Sequence, residues 1–417
     1  MSISLATSAD GACGFSRFLR RRPLVYNLGR TAPQMTVTVE PRLLDWARER
    51  ASLTSVQLAR KIGVSRIERL EEWLRTGEMP LKKLEAFAEK THVPLGYLFL
   101  EEPPEEPLPA PDYRTVKREG LENPSPDLID TLYACARRQA WYHEYLEDIG
   151  VEVRAAAGRF TPDSDPDEVA ADIRETIRWT PEARGAEPNL DLVIGRFASA
   201  VEEAGVLVMR SGIVGNNTHR PLNPKEFRGF ALYDLLAPLI FANAADAKVA
   251  QMFTLAHELA HVWVGRSALN DVSITTDNAL ERFCNRVAAE VLVPADEFGT
   301  EWSGLDNGGP ELQRLSHHFR VSRYVILIRA KESGLINQAE YLEREEVERN
   351  REFRAPSESS GGNFYYTQRS RLGRNFARAV LVSAGSGKTL MRDAYDLLGI
   401  KKHETFVRLA EAMGVGV

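Results

Sequence analysis

The segment DAKVAQMFTLAHELAHVWVG (residues 246–265) constrains the fold more than any other part of the chain. Its residues are good or tolerable helix formers, and Asp246 and Gly265 are candidate caps, so the pattern predicts one helix. On that helix His257 and His261 lie one turn apart on the same face. Almost every other side is apolar, through Phe253, Leu255, Ala256, Leu259, Ala260 and Val262. The predicted helix is therefore mostly buried, and its histidines are buried with it.

Three polar side chains would be buried with this helix: His257, Glu258 and His261. Burying them without partners is costly, and a bound metal ion removes the cost. Both imidazoles can reach one ion at about 2.0–2.1 Å, whereas Glu258 lies about 100° around the helix and is better placed to act on a water molecule. The alternative is a histidine pair satisfied in the core without a metal. The His-Glu-x-x-His spacing favours Zn²⁺, with Mn²⁺ able to replace it in vitro, and Glu258 as the catalytic base.

A second helix is predicted at ALERFCNRVAAEVLVP (279–294), and it offers a third metal ligand. Catalytic zinc takes three protein ligands and keeps one position open. Glu281 and Asn285 lie one turn apart on one helical face, so we expect Glu281 to be the ligand and Asn285 to hold a histidine ring in its tautomer. Glu290 is a competing ligand on roughly the opposite face, and the spacing favours Glu281 over it.

Three segments rich in Val, Ile, Phe and Tyr precede the first of these helices. They are VLVMR (206–210), FRGFALYD (227–234) and PLIFANA (238–244). This pattern predicts a small antiparallel sheet. A substrate is expected to lie extended along an exposed edge formed by FRGFAL, in contact with Arg228, Gly229 and Phe230. Arg228, His219 and a residue from the helical block are candidates for stabilising an oxyanion, and the sequence does not choose between them.

Two changes in composition divide the chain. Residues 102–112 carry five prolines and predict a stiff linker, and residues 355–363 predict a flexible one. The other predicted regions are a disordered extension or mis-set start (1–35), a block of short helices (36–101), a block with the metal motif, a helical insert and a second helix-turn-helix-like segment (113–354), and a C-terminal helical region (364–417).

The block at 36–101 resembles the Xre/Cro-type helix-turn-helix repressor domain. The resemblance rests on Leu58, Ala59, Gly63, Val64 and Ser65 and on Leu81, Leu84, Ala86, Phe87 and Ala88. Its candidate DNA contacts are Ser65, Arg66 and Arg69. Three glutamates on the same helix offset the arginines, and eleven Lys/Arg against nine Asp/Glu over residues 42–101 leave a charge of only +2. DNA binding and a protein-docking or dimerisation role therefore both stay open.

Two further motifs suggest functions that the spacing argues against. SAGSGKTL (383–390) lacks the first glycine of a P-loop, because Val382 stands there, so no nucleotide is expected. Residues 311–336 have the spacing of another, more basic helix-turn-helix. A pair of helices packed behind the metal-binding region is favoured there over a second docking surface for nucleic acid or a repressor. His317 and His318 are adjacent and cannot chelate one ion from a regular helix.

The chain of 417 residues has the composition of a globular protein and a net charge of -6, which excludes a polycation that coats DNA or membranes. Its three cysteines form no CxxC motif, so we expect neither a disulfide framework nor a thiolate zinc cage. This usage favours a reducing cytoplasm. No apolar run reaches the roughly 18 residues of a membrane span, so no membrane partner is expected.

The run from Arg228 to Gly265, followed by LERFCNRVAAEVLVP, resembles the ImmA/IrrE family of metallo-endopeptidases. The resemblance extends over residues 36–417, since many members carry an Xre-type domain before a proline-rich joint. It implies an α+β, mainly helical fold, with a helix-turn-helix bundle followed by a thermolysin-like minimal zinc peptidase domain. It also implies a gluzincin-like, cytoplasmic zinc endopeptidase that makes a limited cut in a partner protein, a repressor, in stress response or mobile-element regulation.

The alternative function is a DNA-binding transcriptional regulator whose peptidase-like domain serves as a sensor or dimerisation body. The helix-turn-helix pattern supports it, and the acidic residues of the reading helix weaken it. Glu258 discriminates between the two functions, because a purely structural metal site has no use for a general base beside its ligands.

Overall fold

The computed structural model describes residues 35–51, 53–104, 124–152, 156–185, 187–270, 279–304, 310–354 and 364–416. Over these residues the protein is mainly helical with two small sheets, which confirms the α+β expectation. Within the same ranges, none of the helices combines the length and apolarity needed to cross a membrane. The predicted extension before Met35, most of the 102–112 linker and the whole 355–363 linker lie outside the described residues.

The N-terminal helices form a bundle with a core of its own. Its elements are β1 (Thr36–Thr38), α1 (Pro41–Arg50), α2 (Ser55–Lys61), α3 (Ile67–Thr76), β2 (Glu78–Pro80), α4 (Leu81–Thr91) and a 3-10 helix (Leu95–Phe99). A capping box of Thr54 and Gln57 starts α2, and β1 pairs antiparallel with β2. Gly63, at a φ of 66°, makes the turn between α2 and α3. DNA binding by these helices stays a prediction.

The central region is a four-stranded sheet surrounded by helices. In the described part of the chain, four helices lead into it: α5 (Pro126–Asp148), α6 (Pro166–Thr176), α7 (Pro181–Gly185) and α8 (Leu190–Glu203). The strands are β3 (Leu207–Ser211), β4 (Gly229–Leu232), β5 (Leu239–Asn243) and β6 (Ala268–Asn270), in the order β3-β5-β4-β6. Helix α9 (Lys248–Trp263) connects β5 to β6.

Further helices follow the sheet. They are α10 (Ala279–Leu292), α11 (Ala295–Glu301), α12 (Pro310–Phe319), α13 (Arg323–Glu332) and α14 (Gln338–Arg354). The C-terminal set is α15 (Phe364–Leu372), α16 (Arg374–Gly385), α17 (Met391–Leu398) and α18 (His403–Ala412). The helical pair predicted within residues 311–336 is therefore present as α12 and α13.

The sheet differs from the predicted one in two respects. It is mixed rather than antiparallel. The chain leaves β3 and forms β4 two positions away in the sheet, and β5 then fills the place between them. As a result β5 is antiparallel to β4 and parallel to β3. The predicted exposed edge is also wrong, since β4 pairs with β5 on one side and with β6 on the other. Strand β6 has three residues, too few for an alternating pattern to appear in the sequence.

The two faces of the sheet pack against different helices, because side chains alternate along each strand. Ala231 belongs to a core with Leu255 of α9. Phe230 and Phe241 stack on the opposite face, with ring centroids 4.8 Å apart, in a core shared with Phe376 of α16. The C-terminal helices thus complete the core of the sheet. Residues of both predicted regions, 113–354 and 364–417, contribute to this core, and the boundary between the regions stays a prediction.

A buried carboxylate ties α8 to the C-terminal helices. Glu202 is 7% exposed, and its Oε1 accepts a hydrogen bond from the backbone N–H of Asn375 at 3.1 Å. The Glu202 carbonyl accepts a second one from Asn375 Nδ2 at 2.7 Å. Burial raises the pKa of Glu202 to about 7, although backbone N–H groups at the start of α16 act in the opposite direction.

Glu202→Gln should reduce the dependence of stability on pH. The folded pKa of about 7 lies above the ordinary value of 4.5, so the wild-type free energy of unfolding falls as the pH rises between these values. Glutamine keeps an acceptor for α16 and carries no charge. From pH 5 to pH 8 we expect the variant to gain roughly 1–3 kcal/mol relative to the wild type in urea unfolding. Glu203→Gln, at an exposed neighbour, should follow the wild-type profile; an equal change in both variants would contradict the assignment.

Candidate metal centre

Helix α9 carries the predicted motif in a fully buried position. It begins after Ala247, and Gly265, at a φ of 68°, follows its last turn in the left-handed conformation typical of helix ends. The side chains of His257, Glu258 and His261 are all 0% exposed. The burial expected from the apolar pattern of the helix is therefore present in the structure.

Three of the predicted site residues bring their donor atoms together: His257, His261 and Glu281. Nε2 of His257 is 3.1 Å from Nε2 of His261 and 3.0 Å from Oε2 of Glu281. Nε2 of His261 is 3.3 Å from Oε1 of Glu281. Glu281 lies in the first turn of α10, which packs along α9. The cluster is thus built from two packed helices.

These donor atoms fit one metal ion. Ligands about 2.0–2.1 Å from a tetrahedral ion lie about 3.3 Å from one another, close to the separations between these atoms. Two nitrogens and one carboxylate oxygen form a donor set that suits Zn²⁺. Burial opposes ionisation of Glu281, but its hydrogen bonds to the two imidazoles outweigh this effect and hold the pKa of the carboxyl well below its usual range. Glu281 is therefore charged, as a metal ligand must be.

Glu258 lies where α9 meets β4. A Cβ added at Gly229 would stand 3.1 Å from Oε1 of Glu258, 2.4 Å from Cγ2 of Thr254 and 2.7 Å from the carbonyl oxygen of Phe241. Real Cβ atoms do not approach the last two atoms so closely, so only glycine lets the strand lie this near to the helix. The space above the Glu258 carboxylate depends on that glycine.

The competing ligand Glu290 is engaged elsewhere. Its carboxylate pairs with Arg329 of α13 and, at 3.5 Å, with Arg174 of α6. The backbone N–H of Ala295 also donates to it at 3.2 Å. Glu290 thus joins α10 to its neighbours on the far side of the helix, and the geometry favours Glu281 as the ligand.

Asn285 lies one turn after Glu281, as expected, but its side chain makes no hydrogen bond to another described residue. The atom beside Nδ1 of His261 is instead Sγ of Cys284, at 3.6 Å. Burial raises the pKa of this thiol well above its usual range, and the carboxylates of Glu281 and Glu258 add to the effect. The ring-orienting role predicted for Asn285 thus lacks a supporting contact. The position of Cys284, three residues after Glu281 on the same helical face, was visible in the sequence.

The residues expected to bind substrate lie inside the sheet rather than along an open edge. Phe230 is fully buried in the core with the C-terminal helices, so its side chain cannot contact a substrate. Gly229 faces α9, and Nε of Arg228 is 3.6 Å from a carboxylate oxygen of Asp246. His219, the other oxyanion candidate, is exposed between β3 and β4. An oxyanion role for Arg228 or His219 stays a prediction.

The candidate DNA contacts Ser65, Arg66 and Arg69 are exposed around the start of α3. They line one shallow cleft together with Glu68 and Glu72. Acidic and basic side chains therefore face the same space, as the charge count suggested. Their contact with DNA stays a prediction.

Comparison with known families singles out the segment that contains the cluster. Residues 201–331 match the Peptidase_M78 family model, described as the IrrE N-terminal-like domain. The match supports the resemblance to the ImmA/IrrE family. It includes all four residues of the proposed centre and indicates a metallopeptidase-like function. Residues 372–412, which span α16–α18, match a domain of unknown function, DUF8813. No curated protein matches the chain.

Gly229→Ala should disturb the centre without touching a metal ligand. The added methyl group meets Thr254 and a backbone carbonyl, so β4 must move away from α9. We expect the free energy of unfolding to fall by roughly 1–3 kcal/mol in urea titrations. Gly195→Ala in α8 is the matched control, because a Cβ there meets nothing within 4 Å. It should be neutral or stabilising by up to about 1 kcal/mol. Equal losses in both variants would disprove the close contact.

The ligand set can be tested by metal analysis of purified variants. The wild type should carry about one zinc per chain, and His257→Ala, His261→Ala or Glu281→Ala should lose it, since two protein ligands rarely hold zinc against buffer. Glu290→Ala should keep its zinc and lose stability instead, because Arg329 and Arg174 would lose the buried carboxylate that they share. Zinc loss in Glu290→Ala with retention in Glu281→Ala would reverse the assignment.

Proposed function

We propose that this protein is a zinc endopeptidase that makes a limited cut in a partner protein, a transcriptional repressor, in stress response or mobile-element regulation. The observation that supports this most is a buried three-ligand cluster with Glu258 next to His257 in the same helix. A structural metal site needs no further buried carboxylate, whereas hydrolysis needs a base beside the ligands. The Peptidase_M78 match over these residues supports peptide hydrolysis. The choice of a repressor rests on the family resemblance.

His257, His261 and Glu281 would hold the ion. Zinc bound there supplies Lewis acidity, which polarises a peptide carbonyl and makes a water molecule more acidic. The three side chains come from helices that pack on each other through Cys284, Val287 and their neighbours rather than from loops. Their positions are therefore set by the core before any ion binds.

Glu258 takes a proton from the attacking water and passes it to the leaving amine. This role needs a carboxylate that is near the ligands but not one of them, and Glu258 is absent from the three-atom cluster. Its side chain is shielded from bulk solvent by the strand above it, where Gly229 leaves room for the carboxylate. General acid-base groups of this kind contribute about 10²–10⁴ to a rate.

A substrate chain would extend the sheet at β6. The opposite edge is covered, because a Cβ at Gly373 would stand 2.8 Å from the carbonyl oxygen of Val208 in β3. Strand β4 is paired on both sides, while β6 has no second strand partner among the described residues. Strand addition uses backbone hydrogen bonds, so it selects an extended chain before it selects a sequence. That selectivity suits a single cut in an exposed segment of a folded partner.

Glu258→Gln is the variant that tests the mechanism. The amide has nearly the shape of the carboxylate but is not a base, so zinc content and melting temperature should stay close to the wild type. Cleavage of a candidate repressor substrate, incubated with Zn²⁺ or Mn²⁺, should slow by about 10²–10⁴. Glu168→Gln, at an exposed position of α6, is the control and should cut at the wild-type rate.

Two results would contradict this mechanism in different ways. If Glu258→Gln cuts its substrate at the wild-type rate, Glu258 is not the base. If the variant loses its zinc, Glu258 is a ligand and the roles within the cluster must be reassigned.

A further inference from the structure

A second cleft lies at the junction of α5, the loop after β3 and the C-terminal helices. Its lining includes Thr131, Arg138, Ser211, Asn216, Gln368 and Arg371. The two arginines are its only charged lining residues within the described part of the chain, and none of the proposed metal ligands contributes to it. The cleft lies between the sheet and the C-terminal helices, which include the segment that matches DUF8813.

Both arginines lack a carboxylate partner among the described residues. Nε of Arg138 donates to the carbonyl of Leu397 at 3.0 Å, and its Nη1 donates to Sδ of Met209 at 3.9 Å. Nη1 of Arg371 donates to Oδ1 of Asn216 at 2.6 Å. The guanidinium groups around Glu290, by contrast, face a carboxylate. Burial lowers the pKa of both Arg138 and Arg371. Two partly desolvated positive charges therefore face this cleft without a negative charge from the protein.

Asn216 is hydrogen-bonded to Arg371, and Asn216 and Arg138 both lie beside Gly399. Its Oδ1 accepts from Arg371, and its Nδ2 donates to the carbonyl of Gly399 at 2.7 Å. A Cβ at Gly399 would stand 3.4 Å from Nδ2 of Asn216 and 3.9 Å from Nη2 of Arg138. A guanidinium group has five N–H donors, and the protein hydrogen bonds here use few of them. The remaining donors can serve a ligand.

We propose that the mouth of this cleft binds a phosphate group, as inorganic phosphate or as a small phosphate monoester, between Arg138 and Arg371. A phosphate dianion matches two guanidinium charges, and the planar fork of arginine donates to phosphate oxygens in pairs. The bound anion would connect α5 and the β3 loop to α15 and α17, and so tie the C-terminal helices to the sheet. This site does not depend on the proposed peptidase activity.

Thermal unfolding of the full-length protein tests the proposal. Inorganic phosphate, at about ten times its Kd, should raise the melting temperature by roughly 1–2 °C, and sodium chloride of equal ionic strength should not. Arg371→Gln should abolish the shift, and without phosphate its melting temperature should equal or exceed that of the wild type. Arg371→Lys keeps the charge and should keep most of the shift. Arg369→Gln, an exposed neighbour on α15, is the matched control and should respond like the wild type.

Arg138→Gln, with the exposed Arg137→Gln as its control, should repeat the result on α5. If Arg138→Gln does not fold, Arg371→Gln decides, because its side chain is partly exposed. A shift with glycerol phosphate as well as phosphate supports a site for monoesters, and a shift with phosphate alone supports a site for the free ion. An unchanged phosphate shift in Arg371→Gln, or an equal shift with sodium chloride, would overturn the proposal.

Discussion

Packing on every side of α9 buries the side chains of His257, Glu258 and His261 away from bulk solvent. A buried ionisable group must be neutral, paired or bound to a metal, so the helix determines what its neighbours supply. Helix α10 supplies the Glu281 carboxylate to both imidazoles, and β4 supplies a glycine above Glu258. The burial of α9 thus accounts for three features of the site. They are Glu281 as the third ligand, the close packing of α10 on α9, and glycine at position 229.

The helices of the centre could be predicted because their information is local. Apolar residues recur at helical spacing in α9 and α10. Gly265 predicts the end of α9, and in the structure α9 ends at Trp263, two residues earlier. Helical phase also separates Glu281 from Glu290, although both are acidic residues of one helix. What the sequence could not show is why Glu290 is buried, since its partners Arg174 and Arg329 come from helices distant along the chain.

The errors have a common physical origin, because tertiary contacts leave little trace in local composition. Strand β6 is too short to show alternation, yet it pairs with β4 and moves the free edge of the sheet by one strand. The linker at residues 355–363 stays a prediction, and the composition of that segment does not show that Phe376 beyond it packs in one core with Phe230 and Phe241. Composition marks where a chain can turn; it does not mark where a core ends.

The order of these elements along the chain also limits when the protein can be completed during its synthesis. The ligands from α9 and α10 and the aromatic residues of β4 and β5 leave the ribosome well before α16. Until residues 364–416 follow, the sheet face that carries Phe230 and Phe241 lacks the part of its cover that α15–α18 provide, and only α5 of the described helices in that core has been made. A nascent or truncated chain that ends near residue 354 would thus contain every proposed zinc ligand and still expose a surface prone to association.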